Sequence, residues 1–191
     1  MSATAMDLPL LDVPMAGLYP IPLAEANALL VKWGHKLGPV KRPFRSEAFG
    51  LTVDGRTCAV AISASTVSNT AAGYRRDQLV ELARLASSEP WGNRVMLRFW
   101  RELCAPRWKC WPVLAAISYS QNALHRGDIY RFDGWEKVSD KAGNANPGKH
   151  GFASAERRQK GTEYATAPIK GAKTLWLWRY PASTQLGKEQ R

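Results

Sequence analysis

Leu23, Ala26, Asn27, Leu30 and Trp33 recur at three- and four-residue steps behind Pro20-Ile21-Pro22. This spacing predicts an amphipathic helix of about three turns. The period breaks at Gly34-His35-Lys36-Leu37-Gly38-Pro39, and Lys41, Arg42 and Arg45 continue as a basic loop. Two runs, Glu47 to Val53 and Arg56 to Thr66, flank Asp54-Gly55, a dipeptide that marks a tight hairpin because both central positions take positive φ. Ser68 to Arg76 reads as a polar turn, and Gln78 to Ala86 fits a helix or a strand by pattern, with propensities on the helical side. After Ser87-Ser88-Glu89-Pro90, the residues Val95, Met96, Phe99, Trp100, Leu103 and Cys104 form a wide apolar stripe, predicting a helix that Pro106 ends. Val113 to Tyr119 is a continuous apolar run of strand length, as for a strand covered on both faces. Asp128 to Phe132 makes a turn or short helix leading to Gly134-Trp135, and Thr174 to Tyr180 alternates as a closing strand. Between these, Asp140 to Lys173 reads as a long surface loop. The organisation expected is a loose arm over 1–15, one domain over 16–180 and a flexible tail over 181–191, without internal repeats.

Composition narrows this picture. A chain of 191 residues, 45% hydrophobic and with eight Trp, has the material for one packed core. Cys58, Cys104 and Cys110 are odd in number and lack paired spacing, so reduced thiols are expected rather than disulfides or structural zinc. No Lys or Arg precedes Lys32 to flank a secretory signal, and no apolar run reaches membrane-spanning length. The expected location is the cytoplasm, away from membranes.

Charge adds a partner. The net charge is +11, and all 27 Lys and Arg lie after Val31, a bias that attracts polyanions, nucleic acid foremost. An anionic cofactor and simple solubility are the competing explanations. The 140–173 loop holds seven Lys or Arg against Asp140, Glu156 and Glu163. With Lys41 and Arg42, its Lys149, Arg157, Arg158, Lys160, Lys170 and Lys173 form the expected phosphate-contacting surface; a solvated loop is the alternative.

Several segments carry a more specific signal. PIPLAEANALLVKWGHK places Ala26 and Asn27 on the first helix and His35 in its closing turn; ELARLAS holds Arg84 and Leu85; Asn93 opens the next helix; and ISYSQNALHRGDIYRFDGW runs from Tyr119 past His125 and Tyr130 to Trp135. Together, over about residues 20 to 138, they resemble the Mom family of phage and mobile-element DNA-modification proteins, within the GNAT acyltransferase superfamily. The element order resembles the same fold. The resemblance implies an α/β domain of layered α+β type, GNAT-like, with a mixed and mostly antiparallel central sheet flanked by helices. In it Gln78 to Ala86 becomes the central fourth strand, and the central pair splays to admit an acyl-coenzyme A. Three features depart from the family. Only His35 remains in a turn that usually offers more histidines, Ser120 and Gln121 stand where an acidic residue is frequent, and SSEPWGN lacks the paired glycines of an ordinary pyrophosphate loop.

The resemblance also implies roles. Ser87, Ser88, Trp91, Gly92, Asn93 and Arg94 occupy the place of an anion-facing loop at a helix N-terminus, which is compatible with a plain helix cap. Tyr130 stands where such enzymes place an acid for the departing thiolate, and a core aromatic with a satisfied hydroxyl is an equal alternative. His125 and His35 are the histidines available as base or metal ligand, with structural hydrogen bonding as the alternative. Tyr119 would line the cleft or the core, and Asp128 would act there or cap the short helix. The implied activity is modification of adenine in DNA, giving protection from restriction, with acetyl-CoA or another acyl-CoA as donor and iron as a further cofactor. Acting on duplex DNA requires extrusion of the base. Two other functions fit the same residues: a conventional acetyl-CoA-dependent N-acetyltransferase of a small molecule, protein or aminoacyl-tRNA, and a non-catalytic basic DNA-binding protein.

Overall fold

The computed structural model describes residues 16–42, 45–142 and 172–181. The expected arm, the tail beyond Pro181, and the basic loop from 143 to 171, with Lys149, Arg157, Arg158, Lys160 and Lys170, lie outside the described residues.

Strand β1 (Ala16–Ile21) leads into helix α1 (Leu23–Lys32), which buries Ala26 and Leu30 completely, as the spacing requires. Asn27 leaves this helix to grip Val40: its Oδ1 accepts the Val40 N–H at 2.8 Å and its Nδ2 donates to the Val40 carbonyl at 3.3 Å. The hairpin follows as β2 (Ser46–Val53) and β3 (Arg56–Ala64), with Asp54 at φ 49° and Gly55 at φ 74° between them. The polar turn contains a small ribbon of β4 (Thr70–Ala71) and β5 (Tyr74–Arg75). Leu79–Ser87 forms β6, a strand despite its helix-forming residues, because β3 and β7 pair with its backbone on both edges while the core clusters under α2 and α1 cover its two faces.

Helix α2 (Gly92–Phe99) continues into a π-helical turn, Trp100–Cys104, and a 3-10 turn, Ala105–Arg107. The π turn shifts the register, so Met96, Leu97, Trp100 and Cys104 face inward, while Phe99 and Leu103, expected in the apolar stripe, are exposed. The remaining elements are β7 (Ala115–Gln121), α3 (Asp128–Phe132), β8 (Glu136–Ala142) and β9 (Lys173–Arg179).

The seven long strands form one sheet in the order β1-β2-β3-β6-β7-β9-β8. Neighbours are antiparallel except β6 and β7, which run parallel. A mixed, mostly antiparallel sheet flanked by helices is the GNAT-like fold class expected from the sequence. Alternation along β3 divides the core: Ala59 and Ala61 join the cluster under α2, with Trp100 and Trp176, whereas Val60 and Ile62 pack under α1. Both sheet edges correct the sequence reading. β1 was not expected, and β8 occupies residues assigned in part to the loop that begins at Asp140. Each is held by backbone pairing to one neighbour, and β8 is mostly exposed, so neither carries a buried apolar period.

Candidate active site

The parallel pair β6 and β7 is joined only from Leu79 opposite Ala115 to Leu82 opposite Ser118. At that point β6 bulges. Against β3, Ile62 pairs with Arg84 and Ser63 with Leu82, leaving Ala83 as the extra residue. A bulge bends its strand and sharpens the local twist, and beyond it β6 and β7 part. The gap is a cleft of about 560 Å³ lined by residues 33–37, 82–87, 118–121 and 124–130 together with Asn93.

The wall beneath α3 is closed, and its hydroxyls are hydrogen-bonded. Tyr130, on α3, shares a 2.9 Å hydrogen bond with Ser118, and Ser118 Oγ donates to the Leu82 carbonyl at 3.2 Å. The ring stacks on Trp176, with centroids 5.6 Å apart, and meets Trp135 edge-on at 5.5 Å. Trp176 Nε1 donates to Ser120 Oγ at 2.9 Å. Gly127 makes this packing possible. Its φ is 74°, and a Cβ there would meet the Trp176 ring at 2.3 Å. Burial pushes the Tyr130 hydroxyl above its ordinary range, opposed by the Ser118 bond, so Tyr130 is neutral at pH 7 and keeps a proton to give. When Ser118 donates to Leu82, Tyr130 donates to Ser118. When Ser118 turns to donate to Tyr130, the phenol O–H is free for the cleft, and an anion there favours the second arrangement.

The α1 side is polar. Arg84 donates to the Gly38 carbonyl at 2.9 Å, to the Leu37 carbonyl at 3.2 Å and to its neighbour Ala83 at 2.7 Å, holding the post-helix turn over the opening. In that turn the Leu37 N–H donates to His35 Nδ1 at 3.3 Å, which fixes the tautomer with its proton on Nε2. Burial, then the Arg84 charge, then His125 lower the His35 pKa to about 4. His35 is therefore a neutral donor in the cleft. His125 is exposed on the opposite lip. Asp128 does not cap α3; Gly127 holds that position, and Asp128 pairs with Arg131 at 3.1 Å. Tyr119 lines the cleft, its pKa raised to about 12 by burial and then by Glu81.

Glu81 is the buried charge beside the cleft residue Leu82 that sequence reading missed. It is buried on β6 and ion-paired with Arg42. Burial raises its carboxyl, and Arg42 acts against that rise. The pairing withdraws Arg42 from the expected phosphate-contacting surface. A lone Glu inside an apolar strand, LVELA, was the available signal. Lys41 is exposed, and Lys173 stands opposite Gln121 on β9.

Of the residues expected at a cofactor, Ser87 and Asn93 line the cleft and Ser88, Trp91, Gly92 and Arg94 do not. Ser87 Oγ donates to the Glu89 carbonyl at 2.7 Å, and the Ser88 N–H and Oγ both bond the Cys58 carbonyl, so the two serines close their own loop. Gly92 lets α2 start against β6, since a Cβ would meet Ser87 at 2.7 Å. Trp91 and Arg94 are exposed. Asn93 Oδ1 is buried with no partner among the described residues and accepts from any N–H brought beside it. A coenzyme A arm carries amide N–H groups of the kind that acceptor takes. Iron has no such fit: among the described residues no three His, Cys, Asp or Glu side chains gather as a metal site. The thiols of Cys58, Cys104 and Cys110 are free and all pushed up, chiefly by burial, Cys104 to about 12, which suits packing rather than nucleophilic attack. No helix among the described residues is long and apolar enough to cross a membrane.

No protein-family model matches the chain, and no curated protein matches it. Among solved structures, the ribosomal-protein-S18-alanine N-acetyltransferase from Escherichia coli aligns at 12% identity over 85% of this chain and 91% of its own, with a TM-score of 0.48. An N-acetyltransferase from Campylobacter jejuni aligns at 9% identity over 88% and 100%, also at 0.48. A Bacillus subtilis acetyltransferase in complex with CoA aligns at 10% identity over 88% and 100%, at 0.44.

Proposed function

We propose that the protein is a transferase that moves an acyl-type group from a coenzyme A thioester to an amine held between β6 and β7. The observation that carries this reading is the opening of the parallel pair at the Ala83 bulge, with Tyr130 and its hydrogen-bond relay at the root of the gap. A thioester arm entering there takes the place of a missing strand and offers an amide N–H to Asn93 Oδ1. The acceptor nitrogen attacks the thioester carbonyl, the C–S bond breaks, and the thiolate takes the Tyr130 proton. His125, exposed on the lip, accepts the proton lost by the amine and passes it to water. Tyr130 regains its own proton from solvent.

The test is calorimetric titration with coenzyme A and acetyl-CoA, followed by thiol release in the presence of amines. Binding in the micromolar range is expected, and Tyr130→Phe should lower kcat by roughly a hundredfold with coenzyme A affinity retained. Absence of binding at millimolar coenzyme A overturns the reading, and binding without turnover by any amine favours a non-catalytic protein.

A DNA base as the acceptor, the Mom-type chemistry, is the second reading. It is favoured by the net charge of +11 and by Lys36, Arg84 and Arg126 around the cleft. Mass spectrometry of nucleosides from DNA of expressing cells distinguishes it. Altered adenine supports it, and unmodified DNA beside acylated small molecules or protein leaves the first reading alone. DNA binding through phosphates should also weaken steeply with salt.

A further inference from the structure

We infer that the end of β7 forms an acceptor-reading subsite, in which Gln121 pairs with a ligand edge that offers a hydrogen-bond donor beside an acceptor. This rests on the cleft as a transfer site and adds the chemistry of the molecule that receives the group. Gln121 is 6% exposed and lines the cleft, yet among the described residues neither its Oε1 nor its Nε2 has a partner. A buried amide left unpaired is costly, and nearly all such groups in folded proteins are satisfied. The surrounding residues show that partners exist at this end of the strand. Ser118 bonds Leu82 and Tyr130, Ser120 accepts from Trp176, and Asn122 accepts from Thr174 Oγ1 at 2.8 Å while donating to the Asp140 carbonyl at 2.9 Å. Gln121 stands apart from all of them.

The shape of the orphan selects its complement. A carboxamide presents a donor beside an acceptor in one plane, so a single planar group with the same pair reversed answers both at once. A primary carboxamide, or a ring nitrogen with an amino group beside it, has that edge. A carboxylate or phosphate offers acceptors alone and leaves Oε1 facing a lone pair; an ammonium offers donors alone and leaves Nε2 unanswered. A ligand lacking either half strands one buried atom, which is the condition under which hydrogen-bonding sites discriminate strongly.

The full chain is titrated with size-matched probes by ligand-observed NMR: benzamide against acetophenone, and 2-aminopyridine against 2-methylpyridine. At least one two-sided probe should bind about tenfold or more tightly than its one-sided partner, and Gln121→Met should erase the difference. Preference in the first pair identifies a carboxamide source, and preference in the second an amino-heterocycle. Equal binding within both pairs, no binding of any probe, or discrimination surviving in Gln121→Met overturns the inference. Stability gives an independent readout. Removing two unpaired buried groups in a near-isosteric exchange should raise Tm by roughly 2–6 °C, and a fall in Tm would show that the amide has a structural role and overturn the subsite. Coenzyme A binding by the unsubstituted chain is measured alongside. Probe discrimination without coenzyme A binding keeps the subsite and removes the transfer reading, whereas the converse removes only the subsite.

Discussion

The two faces of β7 are built on opposite rules. On the face toward α2 and α3, Ser118 and Ser120 are buried and their hydroxyls are bonded to Leu82, Tyr130 and Trp176. On the face toward α1, Gln121 is equally buried, and among the described residues its side-chain amide is bonded to nothing. One strand, with the same alternation, thus supplies a finished wall and an unfinished one. Satisfied polar groups inside an aromatic cluster fix geometry, while unsatisfied ones in a cleft are set for a molecule that arrives later.

The contrast predicts unequal sensitivities. The largest effect should come from Trp176→Ala, which removes the ring stacked on Tyr130 and orphans Ser120; a loss of roughly 3–5 kcal/mol by chemical denaturation is expected. A loss below about 1 kcal/mol would mean that the aromatic wall is not a cooperative unit.

An intermediate effect should appear in the pH dependence. His35 is held at about 4 against an ordinary 6.5, so the unfolded chain binds a proton that the folded chain refuses. Stability should fall as pH drops from about 6.5 towards 4, by roughly 2–3 kcal/mol before solvent screening reduces it. It should be flat with respect to this group above 6.5. His35→Gln should remove that slope in urea titrations across the window; an unchanged slope would place the pH dependence on other groups.

The smallest effect belongs to Ser118→Ala. It leaves the Tyr130 hydroxyl without its partner, and about 1–2 kcal/mol of stability should be lost. Because Ser118 also tempers the rise in the Tyr130 pKa, the alkaline limb of the rate profile should move upward. A profile that stays in place would break the link between the finished wall and the proposed acid.

What the sequence made legible follows from how local the cause was. Asp54-Gly55 announces its own turn, and the helical step of Ala26 and Leu30 announces its buried face. The strand β6 was ambiguous because Leu, Glu, Ala and Arg favour helix, and only its neighbours β3 and β7 decide otherwise. The edge strands β1 and β8 escaped because one-sided backbone pairing leaves little trace in side-chain pattern. At the site, Tyr130, His125 and His35 were named from residue type and segment likeness, and they line one cleft. The Arg42 and Glu81 pair was out of reach because 39 positions separate its members. Gln121 was noticed as a missing carboxylate, but its isolation is a fact of three dimensions.

The extra residue at Ala83 makes the cleft a matter of counting. Point substitution can reline or polish the cavity, but it cannot close it, because the opening is stored in strand length. A chain one residue shorter at this position would bring β6 back into step with β3 and let its outer half lie against β7, trading a binding site for a few more rungs of sheet.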